Sequence, residues 1–134
     1  MASREPRPLT SAEARRRRGA LARRSGRRAE AWAALWLMAK GYRILGFRLR
    51  TRLGEIDLLA QKGRALAVVE VKQRATVEAA LEAVSAEQRD RLRQAAQAVA
   101  ASRPRLKDLA IRLDLIALAP GRLPAHRPDA WRGV

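Results

Sequence analysis

The chain contains no cysteine and a single histidine, His126. The first absence excludes disulfides, thiolate metal sites and cysteine nucleophiles. The second excludes any centre built on two imidazoles. A metal bound here has to be held by carboxylates, which suit hard cations such as Mg²⁺ or Mn²⁺. Aromatic residues make up only 4% of the 134, so the core has to be built from Leu, Val, Ile and Ala. No apolar run approaches the length that crosses a bilayer. The N-terminus has Arg and Ser but no apolar stretch, so it does not read as a secretory signal. The expectation is a cytoplasmic protein without a membrane partner.

Positive charge is abundant. The net charge is +16. Residues 1–29 hold 10 basic and 2 acidic side chains, and residues 30–134 hold 19 and 11, so the part expected to fold carries half of the excess. A polyanion is the natural partner, nucleic acid above others and DNA before RNA. The bland counterpart is a solvated, arginine-rich surface.

The length fits one domain. Residues 1–22, with Pro6, Pro8 and the Arg15–Arg18 run, are expected to form a basic, flexible arm, and residues 23–134 a single domain. Ala29, Trp32, Ala33, Trp36 and Leu37 follow the spacing of one buried helix face. That spacing assigns both tryptophans to the core rather than to base stacking. Gly41 caps the helix. Glu30 lies at the edge of its apolar face, where a charge needs a partner.

Strands are expected over 42–50, 53–60, 66–72 and 111–118. The third, Leu66 to Lys72, is apolar on both faces until its end, as in a sheet covered on both sides. Residues 73–84 give no clear pattern. Ser85 opens a helix with Gln88 at the capping-box position, and Pro104 stops it. Gln88 also sits one turn before Leu92 on the apolar stripe and is expected to face inward. Trp131 is expected to pack down on the core. The order predicts an α/β domain with a mixed central sheet flanked by helices.

Side chains alternate across a strand. Glu55 and Asp57 are then expected on one face with Ile56 and Leu58 on the other, and Glu70 and Lys72 share a face of the next strand. If the two strands pair through residues 61–65, Asp57 and Glu70 meet at one end of the sheet. Carboxylates so close raise each other's pKa, and a divalent cation relieves that. Asp57 and Glu70 are the candidate ligands, with Glu55 and Gln88 as auxiliary groups. Lys72 would orient a water or offset transition-state charge. Only 4 of the 29 basic residues are lysine, and a compact ammonium suits such a niche better than a guanidinium. The competing reading is an ordinary Glu70–Lys72 ion pair. Arg112 and Asp114 read as a structural ion pair, and His126 as a packing or surface residue. Arg27, Arg28, Arg48, Arg50, Arg52 and Arg74 are candidate phosphate contacts.

The stretches Gly26-x3-Glu30-x2-Ala33-x3-Leu37-x3-Gly41-Tyr42, Gly54-Glu55-Ile56-Asp57-Leu58-Leu59-Ala60 and Val69-Glu70-Val71-Lys72-x-Arg74 together resemble the YraN family of predicted bacterial endonucleases. Arg112-Leu113-Asp114 and His126-x3-Ala130-Trp131 resemble that family's closing motifs. The family is similar to archaeal Holliday-junction resolvases, within the PD-(D/E)xK superfamily. The resemblance implies a restriction-endonuclease-like core, catalytic Asp57, Glu70 and Lys72, Glu30 as a further metal ligand, and Mg²⁺. In that family the position of Gln88 is more often a lysine. A homodimer follows by analogy with the resolvases. The function expected is Mg²⁺-dependent hydrolysis of phosphodiester bonds in DNA, including branched or structured DNA. The alternatives are a nucleic-acid-binding protein that keeps the nuclease fold with little turnover, and an interaction protein whose arginines meet an acidic partner.

Overall fold

The computed structural model describes residues 7–133, apart from the side chains of residues 21–25. Its first element is a long helix, α1 (Ser11–Ala39). Thr10 caps it in a reciprocal box: the Glu13 N–H donates to the Thr10 hydroxyl oxygen, and the Thr10 N–H donates to the Glu13 carboxylate. Residues 11–22, assigned to a flexible arm on sequence, are therefore helical. They show no apolar periodicity, yet Ala and Arg are strong helix formers and Thr10-x-x-Glu13 is a start signal. The part of the expected arm before residue 7 lies outside the described residues. Gly41, at φ +89, ends α1 in a backbone conformation that disfavours other residues.

Three antiparallel strands follow, β1 (Arg43–Thr51), β2 (Gly54–Lys62) and β3 (Ala65–Gln73). A short helix, α2 (Val77–Glu82), fills the stretch that had no clear pattern; Thr76 is its cap. Helix α3 (Ala86–Ser102) starts with the Ser85–Gln88 capping box and stops ahead of Pro104. Strand β4 (Ala110–Leu118) pairs parallel to β3, and β5 (Ala125–Arg127), unforeseen in a Pro-rich tail, pairs antiparallel to β4. The sheet order is β1-β2-β3-β4-β5. This is the expected mixed sheet flanked by helices. Among the described residues no helix is long and apolar enough to cross a membrane.

The central strand β3 is covered on both sides. Leu66 and Val68 join a cluster with Leu92, Ala95, Ala96 and Ala100 of α3, and Trp131 packs into the same cluster. Ala67 and Val69 join a second cluster with Ala33, Ala34 and Leu37 of α1. The buried face of α1 thus runs through Glu30, Ala33, Ala34 and Leu37. Trp32 is 64% exposed and Trp36 half-buried, so the expected core placement of Trp32 is incorrect. Two alanines hold the helix close to the sheet, and the turn that brings them in also brings in Glu30 and swings the indole out.

One polar network is sealed against the α1 face. Asp114 is fully buried. Arg112 donates to both of its oxygens at 2.8 Å, the Asp129 N–H donates at 3.0 Å, and His126 Nε2 stands 2.8 Å from Oδ2. Arg112 also donates to the Tyr42 hydroxyl, and Lys40 meets the other ring nitrogen of His126. The ion pair read from sequence is present, and His126 is a buried partner within it. Burial by itself raises the Asp114 pKa. The bonds from His126, Arg112 and the Asp129 N–H outweigh it and hold the carboxyl below its ordinary 3.8.

Asp114→Ala strands Arg112 and should cost about 3–5 kcal/mol, read from the midpoint of urea unfolding. The stability that the Asp114 carboxylate supplies is fully present above its ordinary pKa and is lost as pH falls through the lower native value. Unfolding of the wild type should therefore depend more steeply on pH below about 4 than that of Asp114→Asn; matching pH profiles would count against the network.

Candidate active site at the fork between two strands

Strands β2 and β3 stay paired only from Lys62–Ala65 to Leu58–Val69. Beyond Leu58, β2 remains paired with β1 as far as Thr51–Gly54 and leaves β3 behind. At this fork the backbone N–H of Val71 loses its expected strand partner and donates to Asp57 Oδ2 at 3.1 Å. The side chain thus replaces a ladder acceptor that the backbone cannot supply. Simple alternation also fails here. Ile56 packs in the cluster on the α3 side, whereas Leu58 packs on the α1 side, because β2 turns away with β1.

Asp57, Glu70 and Lys72 come together, as the sequence suggested. Lys72 Nζ lies 3.2 Å from Glu70 Oε1. An exposed ion pair would draw the glutamate pKa down. Here burial, followed by the charge of Asp57, pushes Glu70 up to about 7 against the pull of Lys72. Burial also raises Asp57, although the Val71 N–H and Lys72 oppose it. Two enclosed carboxylates with one ammonium are short of positive charge. A pocket of about 130 Å³ opens over Glu70, lined also by Glu55 and, from α3, by Gln88, Arg91 and Leu92.

Other expected site residues fall into different places. Glu30 is buried and bonded to Arg48, whose Nε donates to Glu30 Oε2 at 2.7 Å. Among the described residues no three acids gather as a metal cluster, so the expected ligand set of Asp57, Glu70 and Glu30 is not assembled. Arg48, expected on phosphate, is instead engaged with Glu30, and its guanidinium also feels Glu55 and Asp57. It adopts φ +47 inside β1, a left-handed conformation that costs a non-glycine residue about 1–2 kcal/mol. Gly26 gives this group room, since a Cβ there would stand 3.2 Å from Arg48 Nη2.

Gln88 is exposed, which corrects the inward-facing expectation; its carboxamide oxygen accepts from the Ser85 N–H at 3.0 Å in the helix cap while it borders the pocket. Glu55 is exposed and 4.0 Å from Arg50. Arg27, Arg28, Arg50, Arg52 and Arg74 are on the surface, as phosphate contacts require. Arg91 was missed; its place one turn after Gln88 was the available signal.

Fold and site together define a mixed α/β domain with two half-buried acids and a lysine where its sheet divides. By sequence the chain belongs to the uncharacterised protein family UPF0102, whose family model matches residues 29–118. A UPF0102 protein of Caulobacter vibrioides is 68% identical over 124 residues, covering 92% of this chain and 99% of that protein. A relative in Paramagnetospirillum magneticum is 46% identical over 115 residues, covering 83% of this chain and 89% of its own. One in Agrobacterium fabrum is 45% identical over 110 residues, covering 82% and 90%.

With chelator present, Glu70→Gln should be more stable than the wild type at pH 8 by about 1–3 kcal/mol. The raised native pKa means that the wild type has its full stability below 4.5 and loses it as pH rises through about 7. Near pH 4 the gap should close. Thermal unfolding at both pH values reads this, and an equal offset at the two would refute the strained pair.

Proposed function

We propose that the protein is a metal-dependent endonuclease that hydrolyses phosphodiester bonds in DNA, with Asp57 and Glu70 holding a Mg²⁺ or Mn²⁺ ion. The observation that carries this is the convergence of Asp57, Glu70 and Lys72 where β2 parts from β3, with Lys72 Nζ 3.2 Å from Glu70 and with burial and Asp57 pushing the Glu70 pKa up. A structural ion pair has no use for that cost, whereas a cation site does. The donor set fits a hard cation that keeps waters of its own, since one or two carboxylates suffice. When bound, the ion would supply Lewis-acid polarisation of the phosphate and a more acidic water.

The chain's own residues divide the remaining work. Asp57 is fixed by the Val71 N–H, which holds its carboxylate in one orientation. Glu70 accepts from Lys72 and is placed at the floor of the pocket. Once the acids are neutralised by a cation, Lys72 is the cation left to donate to a phosphate oxygen or a water. Arg91 lines the pocket, Arg50 lies 4.0 Å from Glu55 at its edge, and both would attract the polyanion. The Asp57…Glu70-Val71-Lys72 pattern resembles the PD-(D/E)xK nucleases, which supports the same reading.

A second reading, binding with little turnover, draws on one observation: Glu30 is bonded to Arg48 and does not join the acid pair. Cleavage of junction, flap, single-stranded and duplex DNA in Mg²⁺ separates the two. Under the nuclease reading, Asp57→Asn and Glu70→Gln abolish cleavage, and Lys72→Met lowers it by about 10²–10³-fold. Cleavage undiminished in Asp57→Asn would sink the assignment.

A further inference from the structure

A second concavity opens on the α1 side, at the ends of β3 and β4. It measures about 840 Å³. Arg28 and Trp32, one helical turn apart on α1, form one wall. Arg74, just past β3, and Arg122 and Leu123, in the loop after β4, form the others. Among the described residues no acidic side chain lines it. Trp32 is 64% exposed and Leu123 76%, so a flat apolar ring and an apolar side chain both face water.

An indole left in water among three guanidinium groups has a specific chemical use. Unpaired nucleobases stack on such rings whatever their identity, while arginines follow the phosphates. Bases inside a duplex offer no free face to an indole. We propose that this groove binds an unpaired nucleic-acid strand, with one base stacked on Trp32 and phosphates held by Arg28, Arg74 and Arg122. Arg74 lies two residues beyond Lys72, about 7 Å along extended chain. The groove therefore lies at the same end of β3 as Lys72, across the sheet from the pocket over Glu70. This inference deepens the nuclease reading and rests on it, because it makes the preferred substrate one with a single-stranded segment.

The test measures binding of the full chain in chelator, so that cleavage plays no part. Labelled oligo-dT, oligo-rU and a duplex of equal length are titrated at low salt. Trp32→Ala should weaken both oligonucleotides by about 5- to 150-fold and leave the duplex unchanged, while Trp32→Phe retains most of the affinity. Arg74→Ala and Arg122→Ala should each flatten the salt dependence of oligo-dT binding by about 0.7 in the log–log slope. The proposal is overturned if Trp32→Ala binds oligo-dT like the wild type. It is equally overturned if duplex binding falls in parallel, or if the variant only turns a dimer into a monomer by sedimentation with strand binding intact. Absent cleavage alongside Trp32-dependent binding would defeat the nuclease reading alone; intact cleavage with Trp32-independent binding would defeat this one alone.

Discussion

The bond from the Val71 N–H to the Asp57 carboxylate is the contact on which the rest of the site depends. A sheet that divides leaves backbone donors without acceptors, and buried donors have to be satisfied. Here β2 follows β1 and abandons β3 after Leu58. Asp57 closes the opening with a side-chain oxygen. The same carboxyl is hydrogen-bonded to the Glu70 side chain. The same division exposes the end of β3, where Lys72 can reach the pair, and leaves room for α3 to overhang the pocket. Geometry needed to end a strand pairing thus also brings Asp57, Glu70 and Lys72 together.

A second constraint acts from α1. Glu30 is buried against Arg48, which meets it from a left-handed backbone position inside β1. Gly26 leaves space for the guanidinium. These three residues set the rotation of the helix. Ala33, Ala34 and Leu37 go against the sheet, and Trp32 goes to the rim of the groove. A bulky indole in place of the alanines would force the helix away from β3. The exposed ring therefore lies on the side of α1 away from Glu30, Ala33, Ala34 and Leu37.

Sequence patterns announced the strands and the third helix because each carried local signals: alternation, the Ser85–Gln88 box, Pro104. They also brought Asp57, Glu70 and Lys72 to one place, since pairing through residues 61–65 leaves little freedom. The expectations that failed were those set by distant partners. The helical periodicity of Trp32 looked the same as that of a core residue, and nothing local reveals an Arg48 eighteen positions away. Parity misplaced Ile56 because it presumes an unbroken ladder. The start of α1 was legible in Thr10-x-x-Glu13, yet apolar periodicity, absent from an arginine run, was the signal followed. β5 is three residues long, too short to show alternation.

Two acids on neighbouring parallel strands, Asp114 buried and Glu70 half-buried, receive opposite treatment. Asp114 has Arg112, His126 and a backbone N–H around it, and its pKa is held down. Glu70 lies one strand away with a single lysine and a second acid beside it, and its pKa is pushed up. Both occupy the same sheet, and the chain has arginines in excess. A shortage of cations therefore does not explain why Glu70 goes uncompensated. In a chain of net charge +16, it is burial and the neighbouring Asp57 charge, acting against Lys72, that set Glu70 apart from Asp114.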